Sequence, residues 1–484
     1  MFTYVVAFLS AFAVATSLTF FVRNRAIQFG WLDQATDSRK VHVHPIPRLG
    51  GIAIVAGFFA PLSALLIVNS GVGMNYRSNP SVIWGLFLGG LSIASLGLFD
   101  DLRGSNARIK FVVQTFVAIA LYVLGFRIEA LFNPFGGTFS LGPLALPLTV
   151  LWIVGVINAM NLIDGLDGLA GGVAFFGIAT NLFLALGRSD QLMSLTMASL
   201  GGAVLGFLVF NFNPATIFMG DTGSMFLGFV LAATSIKTNQ KSGTAVAMLV
   251  PIVSLGLPIM DTLLAMVRRT ILGRPMFSAD KEHIHHRLIS RFAISHRQAV
   301  LLLYGLCCVF GFIALALSYA NGAQSAFLLV GMGLVVVILM RKLGYLNFQQ
   351  AKAAGQTRKK NLQLRSLVSE INFQIARAQD GQEVWSAMSP LAEVLDVGRF
   401  SLELLSGKST FELRRGDAES KPPFRCDVEI KFRDVLYGTM TLIWHDGRLE
   451  VNRDEELAVD LIADAAGRSL AGRAHAASVS TKAI

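Results

Sequence analysis

The first two thirds of this chain carries its apolar residues in long blocks separated by short polar stretches, a pattern that strand alternation does not produce. The blocks fall near residues 2–22, 50–69, 82–99, 109–126, 143–160, 168–187, 191–210, 223–236, 243–262, 298–319 and 323–341. A bilayer core takes about 20 apolar residues per helix, so the blocks predict a polytopic α-helical membrane protein with about 11 transmembrane helices. The eighth block is short, and glycines blur several ends.

Beyond Met340 the pattern changes. A basic run through Arg341, Lys342, Arg358, Lys359 and Lys360 leads into helical spacing over 362–376 and 384–395. Alternating stretches then follow at 400–405, 410–414, 426–432 and 436–444, with a closing helix over about 455–471. This predicts a transmembrane domain over 1–341, a linker over 342–361 and a soluble α+β domain over 362–484. Two helices, an antiparallel strand series and a closing helix, with DVLYGTMTLIW ahead of NRDEELAVDLIADAAG, resemble a GAF domain. No Cys, His or acidic cluster marks chemistry of its own there, so this part is expected to regulate or to bind an unknown ligand or protein.

Composition agrees with the block pattern, since 53% hydrophobic and 15% charged residues do not suit a water-soluble globule of this length. Lys and Arg orient the blocks. The loop after the first block holds Arg23, Arg25, Arg39, Lys40 and Arg48, and the loop before the tenth holds Arg268, Arg269, Arg274, Lys281, Arg287, Arg291 and Arg297. The N-terminus is thus expected outside, the tail inside, and the chain in the cytoplasmic (inner) membrane. The first block lacks a positive flank ahead of it and reads as an anchor rather than a cleaved signal. A formal charge of +10 invites nucleic acid as a partner, but the basic residues flank apolar blocks and no aromatic-basic module accompanies them. Cys307, Cys308 and Cys426 supply neither a disulfide framework nor a thiolate metal site.

Carboxylates beside a bilayer are costly, and here they gather in motifs at block ends. Asp100 and Asp101 close the block ending GLFDDL, where two adjacent carboxylates favour a hard divalent cation, the plain alternative being a solvated helix end. In NAMNLIDGLDGLAGG, Asn158, Asn161, Asp164 and Asp167 recur every third residue and stack along one helical side. NFNPATIFMGDTGSMFLGF places Asn211 before a proline and Asp221 in a turn of glycines and hydroxyls, suited to a phosphate with its cation or to an ordinary cap. His283, His285, His286 and Arg287 in EHIHHRL suit a pyrophosphate better than zinc, and Lys40 and His42 in RKVHVHPIPRLGG form a smaller cationic set. Asp261 is a further acidic position with no role assigned by its neighbours.

These five motifs, in order over about residues 1 to 341, resemble the polyprenyl-phosphate N-acetylhexosamine-1-phosphate transferases. EHIHHRL resembles the UDP-GlcNAc:undecaprenyl-phosphate branch rather than the phospho-MurNAc-pentapeptide translocases, which remain the alternative substrate class. The resemblance implies transfer of a HexNAc 1-phosphate from a UDP-N-acetylhexosamine to a polyprenyl phosphate, releasing UMP, with Mg2+ or Mn2+ as cofactor. It implies Asp221 and Asp100 as metal ligands, with Asp101 supporting the metal or acting as base, and Asp164 and Asp167 shaping the nucleotide site. It further implies Asn158, Asn161, Asn211, Phe218, Lys40, His42, His283, His285, His286 and Arg287 as substrate contacts. Direct attack by the lipid phosphate is preferred, a covalent aspartyl route being the alternative, and a homodimer is one candidate assembly. A cation-coupled transporter predicts mid-membrane carboxylates in repeated halves, and a receptor does not call for these motifs together.

Overall fold

The protein is described by a computed structural model. It describes residues 1–33, 45–132, 138–240, 249–271, 283–320, 322–345, 348–405, 409–415, 422–448 and 450–481. Two compact units emerge: Met1–Thr270 with Arg274–Asn347, and 271–273 with Phe348–Ile484.

The first unit is almost wholly helical. Its helices are α1 (Phe2–Phe29), α2 (Gly51–Ala64), α3 (Gly71–Arg77), α4 (Pro80–Arg103), α5 (Ala107–Val123), α6 (Ala145–Leu162) and α7 (Leu169–Gly187). There follow α8 (Gln191–Asn211), α9 (Gly220–Gln240), α10 (Leu249–Ser254), α11 (Gly256–Ile271), α12 (Ile284–Phe292), α13 (His296–Tyr319) and α14 (Gly322–Lys342). Two short antiparallel pairs join β1 (Leu32–Asp33) to β2 (Ile46–Pro47) and β3 (Ala130–Phe132) to β4 (Thr138–Ser140). Among the described residues seven helices are long and apolar enough to cross a membrane: α1, α4, α6, α7, α8, α13 and α14. Helices also lie in the other expected blocks, as α2, α5, α9 and the α10–α11 pair.

Local chemistry sets the helix ends. α1 stops at Gly30 in the left-handed region, α4 starts on Pro80, and the Asp190 side chain caps α8 by accepting from Met193 N. Ser295 and Gln298 form a reciprocal capping box on α13. The ninth block departs from the expected single helix. Pro258 has no N–H for the Ser254 carbonyl and its ring crowds that turn, and the helix breaks at Leu255 before resuming as α11. Residues 243–248 of that block lie outside the described residues.

α9 is the axis of this unit, packed by α2, α4, α6 and α7 and buried over Met225, Phe226, Leu227 and Phe229 to Ala233. Close packing at its start relies on glycine: a Cβ on Gly97 of α4 would stand 2.5 Å from Thr222 Cα. Large apolar side chains on the outside, such as Trp84, Phe116, Phe327 and Val330, suit hydrocarbon.

The second unit has α15 (Phe348–Arg377), α16 (Gly381–Met388), α17 (Leu391–Val394) and α18 (Arg453–Thr481) against one antiparallel sheet. Its strands β5 (Arg399–Leu404), β6 (Ser409–Arg414), β7 (Phe424–Phe432) and β8 (Val435–Trp444) lie in the order β6-β5-β8-β7. Alternation buries Phe400, Leu402, Leu404, Met440, Leu442 and Trp444 against the helices. The outer face carries ion pairs such as Arg399–Glu412 and Arg425–Asp427. α15 and α18 run parallel, tied by Lys360 to Glu455 at 2.7 Å and by Ser469 Oγ to the Ile375 carbonyl at 2.9 Å.

Candidate active site

Helices that alternate in direction bring the C-terminal ends of α4, α6 and α8 and the N-terminal ends of α5, α7 and α9 to the same end of the first unit. The acidic motifs occupy those termini. Asp100 and Asp101 end α4, and Asp221 sits in the first turn of α9. Lys110, one turn into α5, holds Asp100 Oδ2 at 2.8 Å and Asp221 Oδ2 at 2.6 Å, so one ammonium bridges two motifs more than a hundred residues apart. Ser105 Oγ also donates to Asp100 Oδ1 at 2.5 Å.

Asp101 plays a different part from its neighbour. It accepts from Asp221 N at 2.8 Å, Thr222 N at 3.0 Å and Thr222 Oγ1 at 2.6 Å, and so caps α9 from another helix. The ordinary cap that was the alternative role for Asp221 is thus supplied by Asp101. Gly220 turns the chain with φ +69°, and a Cβ there would stand 2.3 Å from the Arg48 carbonyl. The preceding segment is pinned to the IPRLGG loop, Gly50 N and Gly51 N donating to the carbonyls of Phe218 and Met219, and Phe218 N to Pro47 O. Lys40 and His42 of that motif lie outside the described residues.

The DGLDG loop joins α6 to α7. Burial first, then the charges of Asp221, Asp101 and Asp167, push the Asp164 carboxyl up to about 8, which puts it in the same electrostatic cluster as the α4 and α9 carboxylates. Asp167 Oδ2 accepts from Asn213 Nδ2 at 2.9 Å and Ala215 N at 3.0 Å, tying this loop to the one after α8. Asn211 spends both ends of its amide internally, accepting from Gly168 N at 3.1 Å and donating to the Ile217 carbonyl at 2.9 Å. Asn161 donates to Ser224 Oγ at 3.0 Å and Asn158 to Gln114 Oε1 at 2.7 Å, so the polar ladder of α6 faces α9 and α5.

The histidines lie at the start of α12. His283 Nδ1 meets Asp261 Oδ2 at 2.8 Å, and Ile284 N donates to Asp261 Oδ1 at 2.8 Å. His285 lies against the DGLDG loop, where a Cβ on Gly165 would stand 2.6 Å from its Nε2. That nitrogen is buried with no hydrogen-bond partner among the described residues. Burial and then the neighbouring His286 hold the His285 pKa down to about 3, so the ring is neutral at physiological pH. Arg287 turns the other way, donating to the Leu343 carbonyl at 3.2 Å and covering the Tyr345 ring with its guanidinium 4.0 Å from the centroid.

Among the described residues no group of three or more His, Cys, Asp or Glu is placed to hold a metal ion unaided. Magnesium in phosphate-handling sites takes one or two carboxylates and fills its remaining positions with water and phosphate oxygens. Asp100 and Asp221, converging on one cation with hard oxygen donors, fit that pattern. Sequence reasoning missed Lys110 and Gln114. The signal for Lys110 was a cation one turn inside an apolar block, which the sequence reading passed over.

A half-buried, mixed-charge cluster at one face of a helical membrane unit defines a site for phosphate-bearing, membrane-associated chemistry, and comparison with known proteins assigns the family. Residues 83–239 match the model of glycosyl transferase family 4. The chain is 39% identical over 345 residues to a probable undecaprenyl-phosphate N-acetylglucosaminyl 1-phosphate transferase of Bacillus subtilis, covering 71% of this chain and 93% of the relative. It is 37% identical to a decaprenyl-phosphate N-acetylglucosaminephosphotransferase of Mycolicibacterium smegmatis, over 69% of this chain and 86% of that protein. An undecaprenyl-phosphate alpha-N-acetylglucosaminyl 1-phosphate transferase of Escherichia coli is 26% identical over 61% of this chain and 78% of its own length. The chain belongs to glycosyl transferase family 4.

Proposed function

We propose that this protein transfers N-acetylglucosamine 1-phosphate from its UDP carrier to a polyprenyl phosphate, undecaprenyl phosphate in the first instance, and so initiates a cell-envelope polysaccharide. An oxygen of the lipid phosphate bonds to the sugar-bearing phosphorus, and the bond from that phosphorus to UMP breaks. The observation that carries this reading is the junction of Asp100, Lys110 and Asp221, in a chain so similar to transferases of that name.

The acceptor is a phosphate monoester with a second pKa near 6, so it arrives largely ionised and needs no strong base. Asp101, committed to three hydrogen bonds at the start of α9, orders that helix rather than taking a proton. Lys110 is placed to give a phosphate oxygen the donor it now gives Asp100 and Asp221. Those two carboxylates would hold Mg2+ or Mn2+. Bound there, the ion would offset repulsion between the two anionic reactants. Asp164 and Asp167 shape the nucleotide side through the DGLDG loop, and His285 Nε2 offers an uncommitted polar atom for the sugar or diphosphate.

The same reading has α2, α5, α9 and the α10–α11 pair cross the membrane with the seven longer helices, which gives eleven spans. It puts the site and tail on the cytoplasmic side of the inner membrane, a reading the basic loops support. The tail is read as a GAF-like regulatory or partner-binding domain, supported by its order of helices around a four-stranded antiparallel sheet.

The test is UMP release by the purified protein in detergent, with undecaprenyl phosphate, magnesium and a panel of UDP-sugars. Release that needs lipid and UDP-GlcNAc, and that fails with EDTA or with Asp221→Asn, is expected. A folded protein that releases no UMP with any UDP-sugar, beside a working control enzyme, overturns the reading.

A further inference from the structure

The histidine helix α12 touches the DGLDG loop on one side, and its position is fixed from the other. Asp261 of α11 holds its first turn at His283 and Ile284. A further attachment comes from the end of α14. There Tyr345 N bonds to the Met340 carbonyl and Gly344 N to the Arg341 carbonyl, with Gly344 at φ +77°, which is the Schellman closure of a helix. That turn throws Tyr345 back onto α11 and α12. Arg287 of α12 lies over the Tyr345 ring at 4.0 Å from its centroid and donates to the Leu343 carbonyl. Arg268 of α11 lies over the same ring at 5.7 Å and hydrogen-bonds its hydroxyl. The Gly344 turn is also packed by Arg291, whose Nη1 would stand 3.0 Å from a Cβ there. One aromatic ring thus joins two helices through two guanidinium groups, each attracted to its π-electron faces.

We propose that Tyr345 is a positioning residue for transfer. By clamping Arg268 and Arg287 it holds α12 against the DGLDG loop, and so sets the placement of His285 and the affinity for the UDP-sugar. The proposal rests on the transferase reading and deepens it by one residue that no motif contains.

The experiment uses the full-length protein in detergent and compares wild type with Tyr345→Leu, which keeps bulk but has no π face, and Tyr345→Phe, which keeps the ring. Tyr345→Leu is expected to raise KM for UDP-GlcNAc about tenfold, the worth of the lost cation–π contacts, with kcat and the KM for undecaprenyl phosphate within about twofold. Tyr345→Phe, which loses only the Arg268 hydrogen bond to the hydroxyl, is expected to recover most of that KM change. A purely structural role would instead lower the active fraction and kcat with KM unchanged. Amide exchange over 284–292 is read in parallel and should accelerate in the Leu variant but not in the Phe variant.

A wild type that releases UMP beside a Leu variant with unchanged KM overturns the proposal. If the wild type releases no UMP, the transferase reading fails by itself, and unaccelerated exchange over 284–292 then overturns the clamp. Should Tyr345→Leu not fold, Arg268→Gln leaves the ring and Arg287 in place and is expected to show the same KM change at smaller size. An unchanged KM in that variant counts against the clamp equally.

Discussion

Lys110 shows how much one residue decides at this site. Its ammonium is the only described cation bridging Asp100 and Asp221, and without it two carboxylates face each other with no fixed positive charge between them. Lys110→Met is expected to lower kcat by about 10²–10³-fold, the range for removing one preorganised donor from developing charge. Lys110→Arg should recover part of that loss. Turnover with saturating substrates measures both, and a Met variant within threefold of wild type would remove Lys110 from the reaction. The acidic residues were legible in the sequence because a carboxylate at a block end is costly and needs a reason. Lys110 was not, because a cation at the same place has a ready explanation in topology. Asn211 and Asp167 show the reverse: their residue types drew attention, but which atoms they bond depends on loops far along the chain.

At the scale of elements, the start of α9 is built by its neighbours. Asp101 satisfies the N–H groups of Asp221 and Thr222 from α4, and this holds the helix start at Gly220 rather than at 223, where the apolar block begins. Hydrophobic patterning marks where a helix must be buried, so it missed Gly220, Asp221 and Thr222, the last two of which a side chain from another element caps. The break at Leu255 was legible in principle, since Pro258 stands four residues after the carbonyl it leaves unpaired. In the tail, strand alternation placed all four strands to within about two residues, because one face is buried by helices and the other is charged. Capping by Asp101 carries a prediction about stability. Asp101→Ala should destabilise the first unit by about 0.5–2 kcal/mol through the lost cap. Asp101→Asn keeps one acceptor oxygen and should lose less. Thermal unfolding in detergent ranks them, and equal midpoints for Ala and wild type would show that the cap contributes nothing.

For the whole molecule, the arrangement of charge explains why a site of this kind sits at one end of the helices. Its reactants carry phosphates, and a carboxylate, lysine and histidine cluster at the middle of the bilayer would have to be desolvated for every turnover. Placing the cluster at helix termini leaves it open to water and to head groups at once. The first unit supplies that end through six termini from helices running in alternate directions, α4, α6 and α8 ending where α5, α7 and α9 begin. In the eleven-span reading, every loop at the opposite end falls on the other side of the membrane. The α3–α4 connection at Ser78 lies there, while Ser290 of α12 lies with the site; both side chains are exposed. The expected outcome follows from these positions. With Cys308 and Cys426 replaced by serine, Ser78→Cys should react with a membrane-impermeant thiol reagent on intact cells, and Ser290→Cys should react only after the membrane is opened. Labelling in the opposite order would put the site and the tail on the outer side, where a UDP-sugar made in the cytoplasm does not reach them.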